Sequence, residues 1–223
     1  MRLSIIIPTY NNLDYLKFFL LSLKKNSAYE HEIILHINDG SDGTLDYAIK
    51  NEIKFTHTVK NIGLCSSMNK AYALTSTNYI LYAHDDMFFC KNWDNYLIDE
   101  IKKYSHNLYY LTGTNISTRH GLINYDCGYN LNTFDEQRFN LFCINDKTQD
   151  LQGSHWAPHL IHKDVWNKIG GFSEEFNPGD GSDPDFCMKL WLANVRIFKG
   201  VSKFKVYHFN SITTRNNKIT LNN

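Results

Sequence analysis

Residues 3–25 read LSIIIPTYNNLDYLKFFLLSLKK, and this stretch holds one complete strand-and-helix unit. The compact apolar run at residues 3–7, closed by Pro8, predicts a buried β-strand. Asn11 or Asn12 can then cap a helix that continues to the end of the stretch. The apolar residues of that helix recur at helical spacing: Leu13, Leu16, Phe19, Leu20 and Leu23.

Strands alternate with helices through the first half of the chain. We predict further strands at residues 32–37, near 55–59 and at 79–83, with helices at about 44–51 and 64–74. Alternation with such short connections predicts an α/β fold in which a mostly parallel central sheet carries helices on both faces. In sheets of this kind, ligands bind at the carboxyl ends of the strands.

Polar clusters follow the first, second and fourth strands, at residues 8–11, 38–41 and 84–86. In the last cluster, Asp85 and Asp86 leave an apolar run, and two adjacent carboxylates there repel unless a cation neutralises them. This pattern predicts Mg²⁺ or Mn²⁺, which bind carboxylates together with substrate phosphates. A solvated turn after an edge strand is the alternative interpretation.

The first two clusters can hold a nucleoside. Tyr10 can stack on a planar base or simply cover the sheet. Asp39 can accept hydrogen bonds from a base N–H or a ribose hydroxyl, or it can close a local turn, whereas Asp42 suits a helix cap better. No GxGxxG follows the first strand and no GxxxxGK[ST] occurs, which argues against a dinucleotide-binding or P-loop protein.

Composition excludes several classes of protein. The chain carries 23 basic and 23 acidic residues, so its net charge provides no attraction to nucleic acid or anionic lipid. The 5 cysteines have no CxxC spacing, which favours neither a disulfide framework nor a zinc site. No signal segment or apolar run long enough for a membrane span is present, so we expect a soluble, cytoplasmic protein, with peripheral membrane contact left open.

The second half of the chain adds a candidate base and a candidate metal ligand. Asp183 follows a turn-rich loop at residues 177–181 and precedes a helical pattern. The dipole of that helix stabilises a carboxylate at its start, so Asp183 can serve as a base or merely cap the helix. His208 ends a β-like run at residues 204–207 and can be either a structural residue or a metal ligand.

A dense polar and aromatic cluster precedes the candidate base. His155 and Trp156 suit stacking on sugar faces and hydrogen bonding to sugar hydroxyls, which favours acceptor binding. His155, His159 and His162 also resemble a metal patch, but Pro158 argues against one regular helix that presents all three.

Several motifs, in their order and spacing, resemble family 2 glycosyltransferases. They are SIIIPTYNN at residues 4–12, INDGSDGT at 37–44, N-x-G-x5-N at 61–69, YILYAHDD at 79–86, IGGF at 169–172, D-x-D at 183–185 and VYH at 206–208. The resemblance spans residues 3 to about 210. It implies the Rossmann-like fold called GT-A and an inverting enzyme that uses a nucleoside-diphosphate sugar.

The resemblance also implies roles for individual residues. The implied nucleotide-binding residues are Pro8, Thr9, Tyr10, Asp39, Asn61 and Asp85. By the same resemblance, Asp86 and His208 hold the metal on the diphosphate, and Asp183 is the general base. The sequence departs from the family pattern at His84, Ser182, Met68 and Asn38, and these departures bear on the sugar donor more than on the chemistry.

We therefore predict a glycosyltransferase that needs Mn²⁺ or Mg²⁺ and moves a sugar, with UDP as the favoured carrier, to a hydroxyl of a glycan or lipid-linked saccharide. A nucleotidyltransferase is less favoured, because residues 8–13 lack the Gly-rich basic loop that holds a triphosphate. A non-catalytic carbohydrate- or nucleotide-binding protein with a degenerate site stays open, because His84 and Ser182 replace acidic residues of the family pattern.

The predicted organisation is a single domain with two functional halves. Residues 1–110 form the nucleotide-sugar-binding half, and residues 111–212 form the acceptor-binding and catalytic half. Within the second half, residues 112–150 are rich in Asn without periodicity and predict an elaborated loop region that shapes the acceptor cleft. Residues 213–223 form a polar tail.

Overall fold

The computed structural model describes residues 1–153 and 157–209, so the predictions for His155, Trp156 and the polar tail lie outside the described residues. The strands, in chain order, are Ser4–Tyr10 (β1), Glu32–Asn38 (β2), Lys54–Thr58 (β3), Tyr79–Tyr82 (β4), Met87–Phe89 (β5), Tyr109–Ser117 (β6), Ile123–Asn124 (β7), Leu151–Gln152 (β8), His159–His162 (β9) and Ile197–His208 (β10).

Helices connect most of these strands. They are Leu13–Asn26 (α1), Thr44–Lys50 (α2), Leu64–Tyr72 (α3), Trp93–Ile101 (α4), Glu136–Asn145 (α5), Lys163–Ile169 (α6) and Ser182–Leu192 (α7), with a short 3₁₀ turn at Glu174–Phe176. Within the described part of the chain, no helix combines the length and apolar character that crossing a bilayer requires.

The strands form one sheet in the order β3-β2-β1-β4-β9-β6-β10-β5, with β7 beside β6 and β8 beside β10. β1 to β4 run parallel to their neighbours among these four, whereas β9 runs antiparallel to both of its neighbours. The chain leaves β1 for β2 and β3 on one side and then places β4 on the other side of β1. The crevice between β1 and β4 is therefore the switch point at which such sheets bind ligands.

The prediction of an α/β fold with a mostly parallel central sheet is confirmed. The predicted strands and helices of the first half are all present, with bounds that differ by a few residues. β1 continues through Pro8, which pairs in register with His36. The pairing of β1 with β4 stops at Ile6, so Pro8 lies where the strand has one neighbour only, a position that tolerates the missing N–H.

The prediction of a loop region at residues 112–150 is wrong at both of its ends. β6 runs from Tyr109 to Ser117 and is buried along its whole length, and α5 occupies Glu136–Asn145. The polar residues of β6, such as Thr112 and Asn115, hide the strand from a search for apolar runs, although they are buried in the middle of the sheet. α5 shows little periodicity because Phe139 is its one buried residue.

Candidate functional site

Three potential metal ligands meet beside the switch point: His84, Asp86 and His208. β10 pairs antiparallel with β5, and the Phe209 amide donates to the Asp86 carbonyl at 3.1 Å, which brings the two chain segments together. His208 Nε2 lies 3.0 Å from Asp86 Oδ1. His84 Nδ1 lies 3.4 Å from His208 Nε2 and 4.0 Å from Asp86 Oδ1. The donor atoms all lie within 4.8 Å of one another, so one cation can contact all of them.

The ring nitrogens that point away from this cluster have partners of their own. The Tyr82 hydroxyl lies 2.7 Å from His84 Nε2, and the Asn115 amide nitrogen lies 3.2 Å from His208 Nδ1. Such contacts orient metal-ligating imidazoles in proteins. Burial lowers the pKa of His84 to about 4, with a further contribution from His208, so the His84 ring is neutral at pH 7 and offers a lone pair.

Asp85 lies next to the cluster and faces β1. Its Oδ1 accepts a hydrogen bond of 3.0 Å from the Asn12 amide nitrogen. Burial, and then the charge of Asp86, raise the pKa of Asp85 to about 7. The carboxylates of Asp85 and Asp86 therefore repel each other, as expected from the sequence, and a cation bound beside them would relieve that repulsion.

The suggested capping role of Asn12 is wrong, because its side chain makes no cap hydrogen bond and binds Asp85 instead. The start of α1 is capped from another loop, since the Leu13 amide donates to Asp42 Oδ2 at 2.8 Å. Asp42 also accepts from the Thr44 amide at 3.0 Å, in keeping with its expected role before α2.

Asp39 joins the loops that follow β1 and β2. The Asn11 amide nitrogen donates to Asp39 Oδ2 at 3.0 Å, and the Ser41 amide donates to Oδ1 at 3.2 Å. The hydrogen bond from Asn11, followed by that from Ser41, lowers the pKa of Asp39. Asp39 therefore closes the turn that the sequence allowed, and its partly exposed carboxylate keeps further lone pairs for a ligand.

Asp183 lies in the first turn of α7, and burial raises its pKa to about 7. Its Oδ1 atom is buried without a hydrogen-bond partner among the residues that the structure describes. The residue before α7 is Gly181, so Asp183 does not occupy the cap position itself. A half-buried carboxylate with a pKa near neutrality has the properties of a general base.

Tyr82 connects the base candidate with the cation cluster. Its ring is buried at the end of β4, and its pKa is raised well above 10, first by burial and then by the charge of Asp183. Asp85 and Asp86 raise it further. The raised pKa keeps the Tyr82 hydroxyl protonated, so this hydroxyl can serve as a hydrogen-bond partner of His84.

The N-x-G-x5-N motif holds the loop that carries the base candidate. Asn177 Oδ1 accepts from the Cys65 amide at 3.1 Å, and the Leu64 amide donates to the Pro178 carbonyl at 3.0 Å. Asn69 exchanges hydrogen bonds of 2.9 and 3.0 Å with the backbone of Phe172. Sequence analysis did not predict the positioning roles of Asn69 and Asn177. The only signal was the N-x-G-x5-N motif, which includes Asn69 but not Asn177.

We expect Gly63→Ala to destabilise the protein by about 2–4 kcal/mol. Gly63 has a φ of +83°, and an added Cβ would overlap the Asn177 side chain. Gly170→Ala is the matched control, because Gly170 has a φ of +72° but nothing within 4 Å of the added Cβ. Denaturant unfolding measures both variants, and equal losses would contradict the close approach of Asn177 to Gly63.

The remaining predicted residues are distributed as follows. Asn61 is exposed, and its Oδ1 accepts from the Gly63 amide at 2.9 Å, beside the start of α3. Pro8, Thr9 and Tyr10 end β1 at the switch point. His159 and His162 do not form a metal patch with each other: His159 is packed against the rings of Tyr82 and Phe186, and His162 Nδ1 accepts from the Asp164 amide at the start of α6.

Comparison with known families decides the class of protein. The sequence model described as Glycosyl transferase family 2 matches residues 4–201. The chain belongs to this family. This membership sets aside the nucleotidyltransferase considered from the sequence. No curated protein sequence matches the chain.

Solved structures share the GT-A fold of this family 2 glycosyltransferase. S. aureus TarS 1–349 superposes with a TM-score of 0.70 at 17% identity, covering 93% of this chain and 60% of TarS 1–349. The complex of TarS 1–349 with UDP-GlcNAc superposes with a TM-score of 0.67 at 17% identity, covering 95% of this chain and 61% of the TarS chain. GalNAc-T7 with UDP, GalNAc and Mn²⁺ superposes with a TM-score of 0.71 at 15% identity, covering 93% of this chain and 44% of the GalNAc-T7 chain. At these identities the likeness shows the fold alone.

Proposed function

We propose that this family 2 glycosyltransferase uses a UDP-linked sugar and a divalent cation, and that it transfers the sugar with inversion. The observation that carries the proposal is the cluster of His84, Asp86 and His208 beside the switch point, whose donor atoms all lie within 4.8 Å of one another. UDP and UDP-GlcNAc in the TarS complexes, and UDP with Mn²⁺ in the GalNAc-T7 structure, support the choice of donor and cation.

The donor set fits a divalent cation, because His84, Asp86 and His208 bring their ligand atoms within 4.8 Å of one another. Asp86 and His208 would hold the ion, and a bound ion would neutralise the charge that develops on the leaving diphosphate. Mn²⁺ and Mg²⁺ are the candidates. Asp85, on the β1 side of the cluster, would meet the ribose.

The nucleoside would occupy the crevice between β1 and β4. Pro8, Thr9 and Tyr10 would line its base, and Asp39 would accept a hydrogen bond from the imide N–H of uracil. The Asn11 hydrogen bond that lowers the pKa of Asp39 keeps this carboxylate ionised and therefore an acceptor. Asn61, near the start of α3, would complete the donor pocket.

Asp183 would act as the general base. The acceptor hydroxyl must lose its proton as it attacks, and a single displacement requires the base on the face opposite the diphosphate. The Oδ1 atom of Asp183, buried without a partner among the described residues, is available for that proton. A single displacement inverts the anomeric centre and needs no second nucleophile.

The acceptor would be a hydroxyl of a glycan or of a lipid-linked saccharide. We assign its binding to residues 111–212, the same half of the domain that carries Asp183, and donor binding to residues 1–110. His155 and Trp156 would stack on and bond the acceptor sugar. The chain spans 60% of the length of the TarS 1–349 structure that it resembles.

Calorimetry with UDP tests the nucleotide and the pocket together. We expect UDP to bind in the presence of Mn²⁺ and to bind more tightly than ADP, GDP or CDP. Asp39→Ala should weaken the binding of UDP by about tenfold or more and leave the binding of pyrophosphate nearly unchanged, because only the nucleoside loses a hydrogen-bond acceptor. Asp46→Ala, an exposed acid on α2, is the matched control.

Two outcomes of this experiment would contradict the proposal. If UDP and pyrophosphate weaken equally in Asp39→Ala, the residue acts on the local turn or on the cation and not on the base. If no nucleoside diphosphate binds with Mn²⁺ present, the proposed donor is wrong. If UDP binds, release of UDP from UDP-sugars, measured with water as acceptor, provides the first activity signal.

A further inference from the structure

We propose that His84 is a third protein ligand of the cation, so that the site has two imidazoles and one carboxylate and prefers Mn²⁺ over Mg²⁺. This inference rests on the proposed function, because it concerns the same cation. The usual acid of the family pattern is absent at this position, and His84 instead brings an imidazole nitrogen to the cluster.

The distances between the three donor atoms carry the inference. His84 Nδ1, His208 Nε2 and Asp86 Oδ1 are separated by 3.4, 3.0 and 4.0 Å around the triangle. Three atoms at these separations lie about 2 Å from a common centre, the distance at which imidazole nitrogens and carboxylate oxygens bind divalent cations.

The partner of His84 on its other side supports the same assignment. With a proton on Nε2, the ring donates to the Tyr82 hydroxyl at 2.7 Å and turns the Nδ1 lone pair toward the cluster. Tyr82 is itself held by the rings of His159 and Phe172, so its hydroxyl is a rigid partner. His208 Nδ1 lies 3.2 Å from the amide nitrogen of Asn115, and turning that amide over would bring Oδ1, which has no partner among the described residues, to accept the Nδ1 proton. The His84 imidazole therefore has the supporting contact typical of metal ligands.

The ligand set determines which cation it favours. Mg²⁺ prefers oxygen ligands and retains its waters. Imidazole nitrogen suits first-row transition metals, and of the two candidate cations only Mn²⁺ belongs to that series, at its weakly binding end. With His84 in place of an acid, the set carries the single negative charge of Asp86 and two nitrogens. We therefore expect this site to bind Mn²⁺ more tightly than Mg²⁺ even without nucleotide.

Pulsed electron paramagnetic resonance of bound Mn²⁺ tests the proposal on the unaltered protein. Coupling to two imidazole nitrogens is expected in the parent and to one in His84→Asn. His106→Asn, an exposed histidine between α4 and β6, should keep both couplings. A parent spectrum with one imidazole would overturn the role of His84 while leaving the cation site intact, and a parent that binds no Mn²⁺ would overturn the proposed cation dependence itself.

Metal affinities give a second, independent test. Calorimetry should show that His84→Asn weakens Mn²⁺ by at least about tenfold, comparable to losses seen when the surroundings of a metal ligand are altered. His84→Asp should shift the preference toward Mg²⁺, because it restores an oxygen ligand. Unchanged Mn²⁺ and Mg²⁺ affinities in folded His84→Asp would contradict direct ligation, and thermal unfolding without metal establishes that each variant is folded.

Discussion

Asp183→Asn is expected to lower turnover by about 10²–10⁴-fold while the affinity for the sugar donor stays nearly unchanged. Asn keeps the size of the side chain but cannot take the proton of the acceptor hydroxyl, so only the transition state loses an interaction. UDP release from a UDP-sugar measures turnover, and calorimetry with UDP measures donor affinity. Asp180→Asn, an exposed acid in the preceding loop, is the control.

The pH dependence of the same variant distinguishes a base from a helix cap. Burial raises the pKa of Asp183 to about 7, so kcat/KM of the parent should rise with pH through about 7 as the carboxylate ionises. Because the folded-state pKa lies above the unfolded value, Asp183 costs stability as pH rises from about 4 to 7. Asp183→Asn should therefore be no less stable than the parent at pH 8.

Two outcomes would contradict this assignment. A variant that transfers sugar at the rate of the parent would remove Asp183 from the chemistry. A variant that loses stability at pH 8 and turns over normally when folded would show that Asp183 serves the start of α7 and nothing else. The Asp180→Asn control should change neither turnover nor stability, because its side chain is exposed.

Asp86→Asn is expected to abolish Mn²⁺-dependent binding of UDP while the protein remains folded. Asp86 supplies the one negative charge among the three potential ligands, and its Oδ1 contacts His208 at 3.0 Å. The amide keeps the shape of the side chain, so packing should change little. Calorimetry with UDP, with and without Mn²⁺, measures the effect, and Asp99→Asn on the exposed face of α4 is the control.

The neighbouring carboxylate offers a further readout of Asp86→Asn. The charge of Asp86 contributes, after burial, to the raised pKa of Asp85, so its removal should lower the pKa of Asp85 toward its usual range. Carboxyl titration by nuclear magnetic resonance would follow this change. Equal Mn²⁺-dependent UDP affinities in Asp86→Asn and the parent would exclude Asp86 from the cation site.

Local sequence patterns determined the strands and helices of the first half and the order in which they alternate. Short apolar runs bounded by Pro8 or by Asp85 and Asp86 favour strands whose carboxyl ends meet a polar loop. The short connections then require a parallel sheet, so the polar clusters after β1, β2 and β4 had to lie on one edge. These conclusions depend on residues that are close in the chain.

The tertiary structure decided which polar side chains lie beside one another. β6 is a buried strand despite Thr112 and Asn115, because its position in the middle of the sheet covers it on both sides. Asn12 binds Asp85, and His84 meets His208, only because distant strands are neighbours. Contacts between residues that are this far apart in the chain produce no periodic pattern in the sequence. Each of them depends on strand order and pairing and not on the neighbouring residues.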